Sequence, residues 1–105
     1  MAVVTKNGLW IRDKLQDHIL IINSSKIEND NLINTFITEF DENYNVKRNI
    51  WSDKINIKSN KWLIFNPTIF VENNYTNLSD GQVLELNTNF NKWVADEKVK
   101  YAKKN

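Results

Sequence analysis

Asn7-Gly8-Leu9-Trp10-Ile11-Arg12-Asp13 opens a train of short β-patterned runs, and that train decides the fold class. The runs cover residues 9–12, 18–22, 32–40, 46–51, 54–57, 61–65, 68–72 and 82–86. Each is rich in Ile, Val, Phe, Trp and Thr, and clusters of Asn, Asp, Ser and Gly separate them, the spacing expected of an all-β sandwich or barrel. The connections are short. Asp41-Glu42-Asn43-Tyr44-Asn45 and Lys58-Ser59-Asn60 carry side chains that bond their own backbone and tolerate a left-handed conformation, as tight antiparallel turns require. Asn66-Pro67 marks a corner because proline cannot donate to a sheet ladder, and Ser79-Asp80-Gly81 marks another. The whole reads as a meander.

Two runs depart from simple alternation. Ile19-Leu20-Ile21-Ile22 and Trp62-Leu63-Ile64-Phe65 are apolar at successive positions, so both of their faces want cover. In a domain of this size that means either a closely folded sandwich with a few exposed hydrophobes or a curved sheet whose concave face meets a ligand or another chain. At the carboxyl end the period changes: Phe90, Trp93, Val94, Glu97 and Tyr101 fall at helical spacing, with Asn89 or Asn91 as cap and Asp96 four residues before Lys100. A short helix or a frayed tail both fit residues 92–105, which leaves residues 1–6 as a flexible lead-in and residues 7–91 as the β domain.

Length and composition narrow the function. One domain of 105 residues carries 14 basic and 13 acidic side chains, and a net charge of +1 gives no electrostatic reason to expect nucleic acid. Cysteine is absent, so disulfides and thiolate chemistry are excluded. The amino terminus lacks an apolar signal core, and no apolar run approaches the roughly 18 residues that span a bilayer, so the fragment is expected to be soluble. Eighteen asparagines fit an A/T-rich coding sequence, and at that density the glycosylation-like triplets carry no weight.

Catalytic chemistry finds little support. The single histidine, His18, opens an apolar strand and has no clustered carboxylates at ligand spacing, so it reads as a strand-end residue. Asp13 and Asp17 bracket one turn and Asp41-Glu42 occupy another, as solvated hairpin residues do. Two glycines, Gly8 and Gly81, cannot build a phosphate-cradling loop, so no cofactor is expected. Trp10, Phe36, Phe40, Trp51, Trp62, Phe65 and Phe70 sit among Ile and Leu, and Lys47-Arg48 is the only basic pair between the early strands, which favours core or groove lining over base stacking. Arg12 fits the polar face of an edge strand before a turn-starting Asp13, or a contact to a phosphate or carboxylate.

Gly8-Leu9-Trp10-Ile11-Arg12-Asp13, then Ile37-Thr38-Glu39-Phe40-Asp41, Val46-Lys47-Arg48 and Lys61-Trp62-Leu63-Ile64-Phe65 entering Asn66-Pro67, resemble in order and spacing the periplasmic domain of the lipopolysaccharide export permeases of the LptF/LptG type. The resemblance runs over residues 7–91, where Leu86-Asn87-Thr88-Asn89-Phe90-Asn91 is similar to the family's exit towards its next membrane helix. Two features depart from the pattern. The flanking membrane helices are missing, and Lys92 onward does not read as the start of one; and Asn66-Pro67 replaces a more usual glycine-containing turn.

The resemblance implies a curved antiparallel β-jellyroll, an open sandwich whose apolar hollow accepts the acyl chains of lipopolysaccharide. It implies a parent protein in the inner membrane, with this domain on the periplasmic side, docked edge to edge with other jellyroll proteins of the export bridge. A cytoplasmic ATPase would connect to it only through the missing membrane part, so no catalysis is expected here. Leu9, Ile11, Ile19, Ile21, Phe36, Phe40, Ile55, Ile57, Trp62 and Ile64 are the expected groove lining, taken from alternate strand positions whose inward parity the sequence leaves open. The alternative is a stand-alone β-sandwich recognising a protein or carbohydrate.

Overall fold

Alternating burial along the strand Gly8–Lys14 sets the inner face: Leu9, Ile11 and Asp13 are buried while Trp10, Arg12 and Lys14 are exposed. A computed structural model describes residues 1–72, 74–77 and 82–90. Those residues form β1 (Ala2–Thr5), β2 (Gly8–Lys14), β3 (His18–Glu28), β4 (Asn31–Asp41), β5 (Val46–Asn56), β6 (Lys61–Phe65), β7 (Thr68–Val71), β8 (Asn74–Asn77) and β9 (Val83–Asn87). All pairings are antiparallel. The order is β1-β2-β3-β4-β5-β6-β9, with β7 on β5 and β8 on β7, so the chain is all-β and meanders through one open sheet.

The three long strands bend together. Their inward positions advance by two and then, once, by three: from Ser24 to Ile27, from Leu32 to Thr35 and from Ser52 to Ile55. At that level the ladder skips Ser25, Asn34 and Asp53, and Asn34 takes a left-handed φ of 49°. Two successive residues turned outward on each of three neighbouring strands fold the sheet toward its apolar face, the way strands pass from one layer of a sandwich to the other. Beyond the line β5 also changes neighbour, pairing with β7 at Asn49–Trp51 and with β6 at Lys54–Asn56.

A bend frees backbone carbonyls in a dry place, and small hydroxyls answer them. Ser24, Thr35 and Ser52 lie side by side across the sheet and are buried. Ser24 donates to the Ile33 carbonyl (2.8 Å), Thr35 donates to Ser24 Oγ (3.2 Å), and Ser52 donates to the Phe65 carbonyl (2.6 Å) while accepting from the Lys54 N–H (3.2 Å). Gly8 is fixed by the same corner: its φ is +107°, and a Cβ there would stand 2.3 Å from the Ser24 carbonyl oxygen.

Several expectations are revised. Residues 2–5 form β1 instead of a flexible lead-in, with the Met1 ammonium donating to the Arg12 carbonyl (2.9 Å). The runs 46–51 and 54–57 belong to one strand, because Ser52-Asp53 is a bend within β5, not a turn after it. Asp13 starts no turn; it is buried on the inner face. The Asp41–Asn45 turn is present, and Asn66, at φ 47°, corners before a buried Pro67. The expected turn at 79–81 and the helix or tail at 92–105 lie outside the described residues.

The corner hydroxyls have a testable weight. Ser52→Ala leaves the Phe65 carbonyl without its donor and is expected to cost about 1–3 kcal/mol. The urea midpoint should fall with an unchanged slope; a loss below about 0.5 kcal/mol, within the scatter of surface substitutions, would show that the corner does not depend on the hydroxyl.

Candidate functional site

The inner face is laid out in cross-strand rows. In the first layer, Ile11, Ile22, Ile37, Ile50 and Ile69 stand opposite one another on five neighbouring strands, β2, β3, β4, β5 and β7. In the second layer, Ile27, Leu32, Ile55, Ile64 and Leu84 form a matching row, and Trp62 faces Leu86 one step farther from the corner. The buried members join one cluster with Leu9, Ile57 and Phe90, most of them fully excluded from solvent. Each buried Ile or Leu stabilises by roughly 1.5–3 kcal/mol, so these two rows outweigh every polar contact in the domain.

This layout sorts the ten expected lining residues onto two faces. Leu9, Ile11, Ile55, Ile57, Trp62 and Ile64 point into the packed interior. Ile19, Ile21, Phe36 and Phe40 occupy the opposite parity of β3 and β4, so they cannot line the same hollow. Ile19 is nevertheless covered, in a hollow of about 180 Å³ with Leu15, His18 and Tyr44 beside it. Phe36 belongs to an outer row, Val3, Trp10, Asn23, Phe36, Trp51 and Thr68, in which Trp10, Phe36 and Trp51 are 42%, 40% and 37% exposed. The sequence signal for that outer row was available, since Trp10 and Trp51 alternate with Ile11 and Ile50, but parity had to be known first.

At the end of the sandwich away from the corner the two layers meet through the segment after β9. Thr88 still belongs to the second layer, its N–H donating to the Asn60 carbonyl (2.8 Å). Asn89 crosses to the first: its backbone N–H donates to Asp13 Oδ2 (2.9 Å) and its side-chain amide to the Lys14 carbonyl (2.8 Å). Phe90 then enters the core, 7% exposed. The same rim carries the buried Glu39, which accepts from Arg48 Nε (2.6 Å) and lies 3.9 Å from Lys47 Nζ. The basic pair Lys47-Arg48 is therefore engaged within the domain.

Among the described residues two side-chain polar atoms are buried without a partner, His18 Nε2 and Trp62 Nε1. His18 opens β3 as expected, with Nδ1 3.0 Å from Asp17 Oδ1, and that contact lowers the Asp17 carboxyl below the ordinary aspartate range. Arg12 faces outward and donates to the Tyr44 hydroxyl (3.2 Å). A second hollow of about 190 Å³ opens at the corner, where Val4, Leu9 and Ile27 are flanked by Lys6 and Lys26. Among the described residues no group of three His, Cys, Asp or Glu side chains could hold a metal ion. No helix formed by the described residues is long and apolar enough to cross a membrane. No protein-family model and no curated protein sequence matches the chain.

The turn at this rim responds to acid. Asp41 accepts backbone N–H bonds from Asn45 and Asn43 (2.9 and 2.8 Å), and these lower its carboxyl below the ordinary range. A depressed folded-state pKa contributes stability that is complete above the unfolded value and is lost as pH falls through the folded one. Asp41→Ala should therefore lower the urea midpoint at neutral pH and narrow its difference from the midpoint near pH ~3. An undiminished pH difference in the variant would place the acid sensitivity elsewhere.

Proposed function

We propose that this chain is the periplasmic jellyroll-type domain of a lipopolysaccharide export permease, holding acyl chains between its two layers and docking through its sheet edges. The observation that carries the reading is that the resembling motifs fall, in chain order, on four strands of a single sheet bent over an apolar interior. Gly8 to Asp13 fall on β2, Ile37 to Asp41 on β4, Val46 to Arg48 on β5 and Lys61 to Phe65 on β6. Acyl chains suit such an interior because each methylene moved from water into it gains about 0.8 kcal/mol with no directional bond to break on departure. The outer strands β1, β8 and β9 each pair on one side within the described residues, and an exposed strand edge is where another sheet adds on. In this reading the inner-membrane anchor and the ATP-driven step belong to other parts of the parent permease and its cytoplasmic ATPase.

A second reading, a stand-alone β-sandwich that recognises a protein or carbohydrate, is favoured by one specific observation: Trp10, Phe36 and Trp51 lie in one outer row, each more than a third exposed. The two readings use opposite faces of the same strands. A photo-reactive residue placed at Ile55 or Ile64 in the parent permease is expected to capture lipopolysaccharide, while Phe36 and Trp51 positions capture little or none. Adducts to a protein or glycan from Phe36 and Trp51, with none from the interior of an active transporter, would overturn the conduit reading in favour of recognition.

A further inference from the structure

Opposite the corner the interior is bounded by the segment that follows β9 and not by the bent sheet itself. There the chain does something its neighbours do not. β9 ends at Asn87 in register with Lys61, and Thr88 keeps one more backbone bond to Asn60 in the same layer. The next residue leaves that layer, and both donors of Asn89 are spent on the far end of β2. Phe90 fills the gap between layers.

We infer that residues 88–90 form a releasable strap that closes the mouth of the interior, with Asn89 as the latch, Asp13 and Lys14 as the keeper, and Phe90 as a plug standing where an alkyl chain would enter. The inference rests on the conduit reading above and names how access to that same interior is regulated. Asp13 explains itself only in this arrangement. A carboxylate on the inward face of β2, in line with Leu9 and Ile11, is a poor core residue, and burial is tolerable because it accepts a backbone N–H from the opposite layer.

A second observation inside the interior points the same way. Trp62 is wholly buried and its indole N–H has no acceptor. A phenylalanine would avoid that unsatisfied donor at similar size. The N–H is accounted for when an occupant brings an oxygen, and an alkyl chain ending in an ester or carboxyl group does so. The ligand class assigned to the opened interior is therefore an alkyl chain with an oxygen acceptor at its head, not a plain hydrocarbon.

Between the layers the strap is joined by the two hydrogen bonds of Asn89 and the Phe90 side chain, whose release leaves the strand ladders intact, so it should open without unfolding the domain. Native-state hydrogen exchange on the 105-residue chain reads this directly. The Asn89 amide is expected to exchange ~100-fold faster or more than the amides of Ile22 and Ile37, through an opening insensitive to low urea. Equal protection at Asn89 and at the core would overturn the strap. A second measurement places spin labels at Gln16 and Ser59, in the turns on either side of the mouth. The pair Asp13→Ala, Asn89→Ala should lengthen and broaden their separation, and dodecanoate added below its micellar concentration should move the unsubstituted chain the same way. An unchanged separation in a variant that still unfolds cooperatively would also overturn it. Lipopolysaccharide adducts from Ile55 with a strap that never opens would leave the conduit standing and this route wrong. A strap that opens in a permease giving no interior adducts would do the reverse.

Discussion

Everything in this domain follows from one backbone event repeated on three neighbouring strands, the outward double step at Ser25, Asn34 and Asp53 that folds a meandering sheet onto its own apolar face. A single kinked strand would be a local bulge. Three in register make a corner, and a corner converts a flat sheet, which has one face too many in water, into two layers that bury each other. The hydroxyls of Ser24 and Ser52 support the fold by donating to backbone carbonyls at the bend, and Thr35 donates in turn to Ser24 Oγ. Apolar residues at those three positions would fill the space and leave the polar groups unanswered.

From that constraint come the interior and its two ends. The five-isoleucine row of the first layer meets the row built from Ile27 to Leu84 in the second, and the corner shuts one end. The other end is shut by side chains and a crossing segment instead of by the sheet itself. Glu39 with Arg48 and Asp13 with Asn89 make a polar rim there, paired within the domain and so compatible with burial. The indole N–H of Trp62 is the one polar group of that interior left without a partner among the described residues, and the proposed occupant is the group that would supply its acceptor.

Much of the fold was legible in advance. Runs of β-branched and aromatic residues between Asn-, Asp- and Ser-rich turns located the ladders, and Asn66-Pro67 and Asp41 to Asn45 turned where their backbone chemistry said they would. Three things were not legible. Ser52-Asp53 divides one strand into two runs because polarity alone does not distinguish a bend within a strand from a break between two. β1 lacks a pattern of its own and forms because β2 offers it an edge. The parity of β3 and β4 was undetermined because Ile19 to Ile22 are apolar on both faces, so Ile21, Phe36 and Phe40 were grouped with residues that the sheet places on its other side. The ten residues expected to line one hollow therefore divide between two faces, six in the interior and four on the opposite parity of β3 and β4. In the sequence Asp13 has the look of a turn residue, because nothing local shows that a segment 76 residues away supplies its donor.

The measurement that bears most directly on the account is an isotope-filtered nuclear Overhauser experiment on the methyl-labelled domain with unlabelled dodecanoate. The account predicts contacts from the alkyl protons to the methyls of Ile55, Ile57, Ile64 and Leu86 in the interior. Contacts confined to the protons of Trp10, Phe36 and Trp51 on the outer face, or none with any residue, would contradict it.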